Sequence, residues 1–204
     1  MTTVRDAIEH RAATQQFDPS RALDDAEVRE LVRLATLAPS AYNFQNWSFV
    51  AVRSADAKAR LRAAAYGQPK ISDAPVTFVI AGTLNAHRTL AARLAPSVEA
   101  GLLPAPVVDA WVSMAAGSHE GNPVLQRDEA FRSASLAAMT LMLAAAERGL
   151  VTGPMSGYDP AKVSEAVGLG ADEVPVVLVA VGHAAPGNAP QKPRRPVEEV
   201  LRLA

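Results

Sequence analysis

A sheet covered by helices on both faces, an α/β or α+β sandwich, is the fold class the sequence predicts, on three observations. Two near-continuous apolar runs, Val76–Ala81 (VTFVIA) and Val174–Val181 (VPVVLVAV), suit central strands covered on both sides. The stretch Phe131–Gly149 is apolar nearly all round, as a helix buried in a core or at a subunit interface would be. Strand and helix patterns interleave along 204 residues with no internal repeat and no linker, which predicts one domain over 1–204.

The elements follow in order. Val4, Ala7, Ile8 and Arg11 share helical spacing, so a first helix is expected to end near Ala12. Asp24 with Glu27 three residues on makes a capping box, and Leu23 with Val28 a hydrophobic staple. Val28, Leu31, Val32 and Ala35 then give the second helix one apolar face, and Pro39 stands past its end. Trp47–Val52 reads as a strand, and Ala55–Ala65 as a helix. The segment 84–128 is expected to hold one or two helices around Pro104 and Pro106, with a flexible link from Gly117 to Pro123. Asp159 before Pro160 caps a last helix, which Gly168 closes.

Composition narrows the chemistry. A formal net charge of -1 argues against a broad attraction to nucleic acid or an acidic membrane. With no cysteine, the chain has no disulfide, no thiolate nucleophile and no cysteine-ligated metal. Met1–Ala12 has no continuous apolar run, so no signal peptide is expected, and Leu136–Ala146 is too short to span a bilayer. A soluble protein is expected, and the cytoplasm fits. His10, His87, His119 and His183 are scattered without paired spacing, and read as surface or satisfied structural groups rather than metal ligands. There is no Walker A loop, no G-x-G-x-x-G and no correctly placed nucleophile-elbow serine. An enzyme with this inventory needs an organic cofactor to carry its chemistry, and no catalytic side chain is named.

Four segments carry a more specific signal. Arg11-Ala12-Ala13-Thr14-Gln15-Gln16-Phe17 offers a cation at a helix end, the type of group that binds phosphate. Ala38-Pro39-Ser40-Ala41-Tyr42-Asn43-Phe44-Gln45-Asn46-Trp47-Ser48-Phe49 places Ser40 and Asn43, which donate and accept, in a helix-to-strand loop. Gly153-Pro154-Met155-Ser156-Gly157 follows the apolar helix, and Lys192-Pro193-Arg194-Arg195-Pro196 lies near the C-terminus. Each also fits a plainer role: a solvated helix-end charge, a helix-stopping turn, an inter-element turn and a basic tail.

Read together and in this order, the four segments resemble the nitroreductase family of FMN proteins. They are similar to its R-x-S-x-R/K-x-F, A-P-S-x-x-N-x-Q-P-W-x-F and P-K-x-R-x-P patterns and cover nearly the whole chain. The resemblance implies an α+β sandwich with a central, mostly antiparallel sheet, and a homodimer whose C-terminal arm, 187–204, embraces the partner. FMN is implied as cofactor, with NADPH or NADH as electron donor and a small-molecule nitroaromatic or quinone as acceptor, in a ping-pong scheme. It implies FMN contacts from Arg11, Ala12, Ala13, Gln15, Pro39, Ser40 and Asn43. It further implies Gln68 and Lys70 at the flavin ring, the latter two also readable as exposed loop residues. Pro154, Met155, Ser156 and Gly157 would lie over one flavin face, with Gly157 allowing close approach, and Lys192 and Arg194 would join Arg11 at the phosphate. The segment 84–128 is expected to shape the acceptor pocket.

Three positions depart from the family pattern. Ala13 and Gln15 stand where it has serine and a second basic residue, which would stabilise anionic reduced flavin, and Lys70 is a candidate for the missing charge. Asn46 replaces a proline, a change expected chiefly to loosen a turn. The alternatives are a semialdehyde or activated-alkene reductase on the same fold, and a flavin-binding protein with little turnover.

Overall fold

A computed structural model describes residues 3–204; Met1 and Thr2, the start of the segment expected to lack a leader, lie outside the described residues. Among the described residues, eight α-helices and four strands follow in the order α1 (Val4–His10), α2 (Asp25–Ala35), β1 (Trp47–Val52), α3 (Ala55–Ala64), α4 (Lys70–Asp73), β2 (Val76–Thr83), α5 (Leu90–Glu99), α6 (Ala105–His119), α7 (Pro123–Glu147), β3 (Val151–Met155), α8 (Pro160–Val167) and β4 (Glu173–Gly182). The strands form one sheet of order β1-β2-β4-β3, antiparallel at every pairing. This is the α+β sandwich expected.

The two apolar runs are β2 and β4, the central strands, and their alternation divides the core. Phe78, Ile80, Val179 and Val181 point to a layer formed with α2 and α7. Val79, Leu178 and Ala180 point to the opposite layer with α3, α4 and α8. A continuous apolar strand is required because neither face meets water. A third cluster, built on Phe44, Leu90, Leu94, Val108 and Ala115, forms between α5, α6 and the loop before β1.

Local signals act as read. Glu27 N–H donates to Asp24 Oδ1 at 2.7 Å and Asp24 N–H to Glu27 Oε2 at 2.8 Å, closing the capping box. Asp159 caps α8, and Gly168 ends it in the left-handed region at φ 68°.

Three readings need correction. The flexible link from Gly117 to Pro123 shrinks to Glu120–Asn122, because Gly117 lies inside α6 and Pro123 opens α7. The apolar helix begins at Pro123 rather than near Phe131; Asn122 Oδ1 accepts from Leu125 N–H at 3.1 Å, a cap followed by proline like that of α8. The one or two helices expected in 84–128 are two, α5 and α6, and α5 carries Pro96 inside it. Gly153–Met155 is not a turn but part of β3. Its Pro154 is tolerated because β3 is an edge strand, where a missing N–H breaks no central ladder.

Candidate functional site

Past α1 the chain runs along the free edge of β3. Ala13 bridges Thr152 in parallel fashion, Thr14 N–H donates to Thr152 O at 2.9 Å, and Phe17 bridges Ala184. Arg11 stands at the end of α1, and its Nη1 is buried with no hydrogen-bond partner. Buried guanidinium nitrogens are normally paired, so this one marks a place for an anion. A cavity of about 620 Å³ opens here, with Arg11, Ala12, Thr14, Thr152 and Asn188 in its wall.

Lys70 meets the same segment at Gly153 of β3. A side-chain carbon on Gly153 would lie 2.6 Å from Thr14 O and 3.2 Å from Lys70 Cδ, so only glycine lets the three strands of chain converge. Lys70 is 6% exposed, and no carboxylate or hydrogen-bond acceptor meets its ammonium group among the described residues. Burial alone pushes its pKa below the ordinary lysine value. Gln68, two residues earlier, donates through Nε2 to Gly157 O at 2.8 Å. This joins the α3–α4 corner to the turn after β3, where the N–H groups of Ser156 and Gly157 find no acceptor among the described residues. A Cβ on Gly157 would meet nothing nearer than 3.7 Å, the Gln68 amide nitrogen, so the backbone there is open on that side. Tyr158 adds no acid to the site: burial raises its pKa to about 12 and its hydroxyl is committed to Pro175 O at 3.0 Å.

Pro39, Ser40 and Asn43 are not part of this cluster. They precede β1, at the opposite edge of the sheet from β3. Three strand spacings separate the two edges, and the level of Trp47 is offset by four residues of β4 from that of Met155. Those steps amount to about 20 Å. The loop itself is bent: Tyr42, Asn43 and Gln45 all take left-handed backbone, at φ 51°, 58° and 47°. Ser40 Oγ accepts from Gln45 N–H at 2.9 Å. Asn46 does more than loosen a turn. It is 1% exposed, and neither its Oδ1 nor its Nδ2 is paired.

The C-terminal segment returns to the first cluster. Asn188 accepts from the N–H groups of Gln15 and Gln16 and donates to Gln16 O at 2.7 Å; Gln191 donates to Arg11 O at 2.8 Å. These two clamps escaped the sequence reading, since a lone amide in a Pro-rich segment carries no pattern. They bring Lys192 and Arg194 to the neighbourhood of Arg11, both side chains exposed, with Arg194 Nη1 donating to Lys192 O. Gln15 is exposed and turns back toward Ala13 O at 3.4 Å, so it presents no charge to the cluster. The histidine reading is corrected in part: His87 and His119 are neither at the surface nor fully satisfied. They stack at 5.9 Å, each with one buried ring nitrogen unpaired.

Comparison with known proteins decides what this arrangement belongs to. The model of the Nitroreductase family matches residues 8–183. The chain belongs to the nitroreductase family. It is 32% identical over 98% of both chains to YodC of Bacillus subtilis, a protein named as an NAD(P)H nitroreductase. A structure from Exiguobacterium sibiricum solved in complex with FMN shares 28% identity, with a TM-score of 0.91 over 100% of this chain and 98% of that one. A gut-bacterial enone reductase, CLA-ER, shares 26% identity, with a TM-score of 0.88 over 100% and 99%.

As a nitroreductase-family member, the chain presents residues that fit FMN. The unpaired Arg11 nitrogen and the uncompensated Lys70 suit a phosphate and an anionic ring edge, and the free N–H groups of Ser156 and Gly157 suit a ring acceptor. Among the described residues no helix is long and apolar enough to cross a membrane.

Proposed function

We propose that this nitroreductase-family chain is an FMN-dependent NAD(P)H oxidoreductase that reduces nitroaromatic or quinone acceptors in a ping-pong scheme. The observation that carries the reading is the pair of uncompensated cations, Arg11 and Lys70, flanking the free edge of β3. FMN would supply the hydride-carrying chemistry that no side chain here provides. Arg11, with Lys192 and Arg194, would hold its phosphate, and Ala12 and Ala13 would border the ribityl chain. Lys70 would supply the positive charge at the ring that Gln15 lacks. Gln68 would fix the turn whose Ser156 and Gly157 N–H groups meet the ring, with Pro154 and Met155 beneath. No acid–base side chain is assigned.

A homodimer completes the site. Ser40 and Asn43 precede β1, at the opposite edge of the sheet from the β3 edge that carries Arg11 and Lys70, so they would serve the partner's flavin rather than their own. The alternative of activated-alkene reduction is favoured by one observation, the likeness to an enone reductase along the whole chain.

The test is the absorption spectrum of the purified protein after FMN addition and desalting, followed by anaerobic NADPH or NADH. Retained flavin that bleaches promptly is expected; retained flavin that stays oxidised would make this a binding protein, and none retained would reject the reading. With NADPH and a quinone varied, double-reciprocal lines should be parallel, and intersecting lines would exclude ping-pong. An acceptor panel containing an enone separates the two substrate classes.

A further inference from the structure

We infer that Arg93, on α5, is the positioning residue for the Ser40–Asn43 half of the flavin site, an inference that rests on the reading above. The loop before β1 needs such a residue. Tyr42, Asn43 and Gln45 occupy the left-handed region without being glycine, and backbone of that kind persists only where the surroundings over-determine it. The loop's own side chains do little of this. Ser40 Oγ accepts one bond from Gln45 N–H, Asn43 is exposed, and the buried Asn46 amide pairs with nothing.

Arg93 supplies what is missing. Its Nη1 donates to Phe44 O at 2.7 Å and to Gln45 O at 2.6 Å, the two carbonyls that the left-handed turns bring to one side. Its Nε donates to Thr89 Oγ1 at 3.2 Å, which fixes the plane of the guanidinium from the residue that precedes α5. No carboxylate lies within 4.0 Å of it among the described residues, so the carbonyl dipoles are its only counterpart. A partly buried cation without a counter-charge is costly, and burial pushes its pKa down accordingly. Phe44 adds the apolar half of the anchor, fully buried among Leu90, Leu94 and Ala115 of the same helical pair. The segment 84–128 is thus more than a wall of an acceptor pocket. Through Arg93 it sets the backbone that presents Ser40 and Asn43, so pocket and cofactor loop are held by one element.

The test uses the full-length protein without flavin first. In Arg93→Gln, amide hydrogen exchange over residues 41–46 should rise at least about tenfold while residues 76–83 of β2 keep their protection. Arg93→Lys should recover part of the protection, since an ammonium group is a point donor rather than a planar fork. Thr89→Val removes only the Nε anchor; it should move exchange in the same direction by less, and it serves if Arg93→Gln does not fold. With FMN added, Arg93→Gln should weaken binding about tenfold, the effect expected for losing one or two charge-assisted bonds that order a ligand loop. A folded Arg93→Gln whose loop exchange stays within about twofold of wild type would overturn the inference. So would equal loss of protection in β2, which would mark a merely structural residue, and so would an exposed loop with unchanged FMN affinity. Failure of the wild-type protein to bind FMN would sink the flavin reading instead, and the exchange arm would still decide whether Arg93 holds the loop.

Discussion

Lys70 illustrates how a single residue trades stability for a site. The residue is buried, its aliphatic stem packed beside Gly153, and no counter-charge meets it among the described residues, so burial depresses its pKa. Between the depressed value and the ordinary 10.5 the unfolded chain binds more protons than the folded one. Stability of the flavin-free protein should therefore rise with pH through that window, and Lys70→Met should flatten the slope. The same variant should stabilise the flavin-free protein near neutral pH by about 1 kcal/mol, or roughly 2–4 °C in Tm. It should also cost about tenfold or more in FMN affinity. A melt combined with a fluorescence titration checks both, and a variant that binds FMN as wild type does would remove Lys70 from the site. The sequence offered Lys70 as a candidate at the flavin ring through the family resemblance, with an exposed loop lysine as the plainer reading. Its burial depends on Gly153, more than eighty residues away, and no local pattern could report that.

At the scale of elements, β3 and the α5–α6 pair decide most. Gly153→Ala would drive a methyl group into Thr14 O, a backbone atom that cannot swing aside. It should cost about 1–3 kcal/mol in chemical denaturation and detach residues 11–15 from the strand. Loss of FMN retention in a still-folded Gly153→Ala would follow from the same detachment. The α5–α6 pair is tied at its far end by Glu120, which accepts from His87 at 2.9 Å and from Arg88 at 2.6 Å. Those bonds lower the Glu120 pKa to about 2. The folded carboxyl therefore binds fewer protons than the unfolded one, and its contribution is present above the ordinary 4.5 and fades as pH falls toward 2. Glu120→Gln should reduce the acid slope of stability in that window and nowhere else; the pair is exposed, so the effect should be small. Elements with caps and periodicity, such as α2, α8, β1 and β2, were legible. The edge strand β3 was not, because glycine and proline read as a turn until the sheet order shows that one edge of the strand pairs with nothing central.

At the scale of the molecule, the separation of Ser40 and Asn43 from the Arg11–Lys70 cluster makes a prediction that one chain alone cannot satisfy. If the proposed dimer forms, Arg11→Ala and Asn43→Ala proteins should each bind FMN poorly. Unfolded together and refolded as a mixture, they should form heterodimers with one intact site of two, recovering part of the flavin capacity that neither parent has. No recovery on mixing, or a monomer by sedimentation at micromolar concentration, would break the shared-site reading. The exposed apolar residues Val197, Val200, Leu201 and Leu203 of the C-terminal segment are free in the single chain and should become protected in such a dimer.

The sequence by itself determined the central strands, the capped helices and the family, because each rests on information carried within a few consecutive residues: an apolar run, a capping box, an eight-position motif at one place. Tertiary structure alone decided how these parts make a site. It placed Lys70 under Gly153, tied Gln68 to Gly157, clamped the C-terminal segment to Arg11 through Asn188 and Gln191, and set the Ser40–Asn43 loop against Arg93 at the opposite edge of the sheet. Each of these is a contact between residues far apart in the chain, fixed by strand order and packing, and sequence spacing holds no record of strand order.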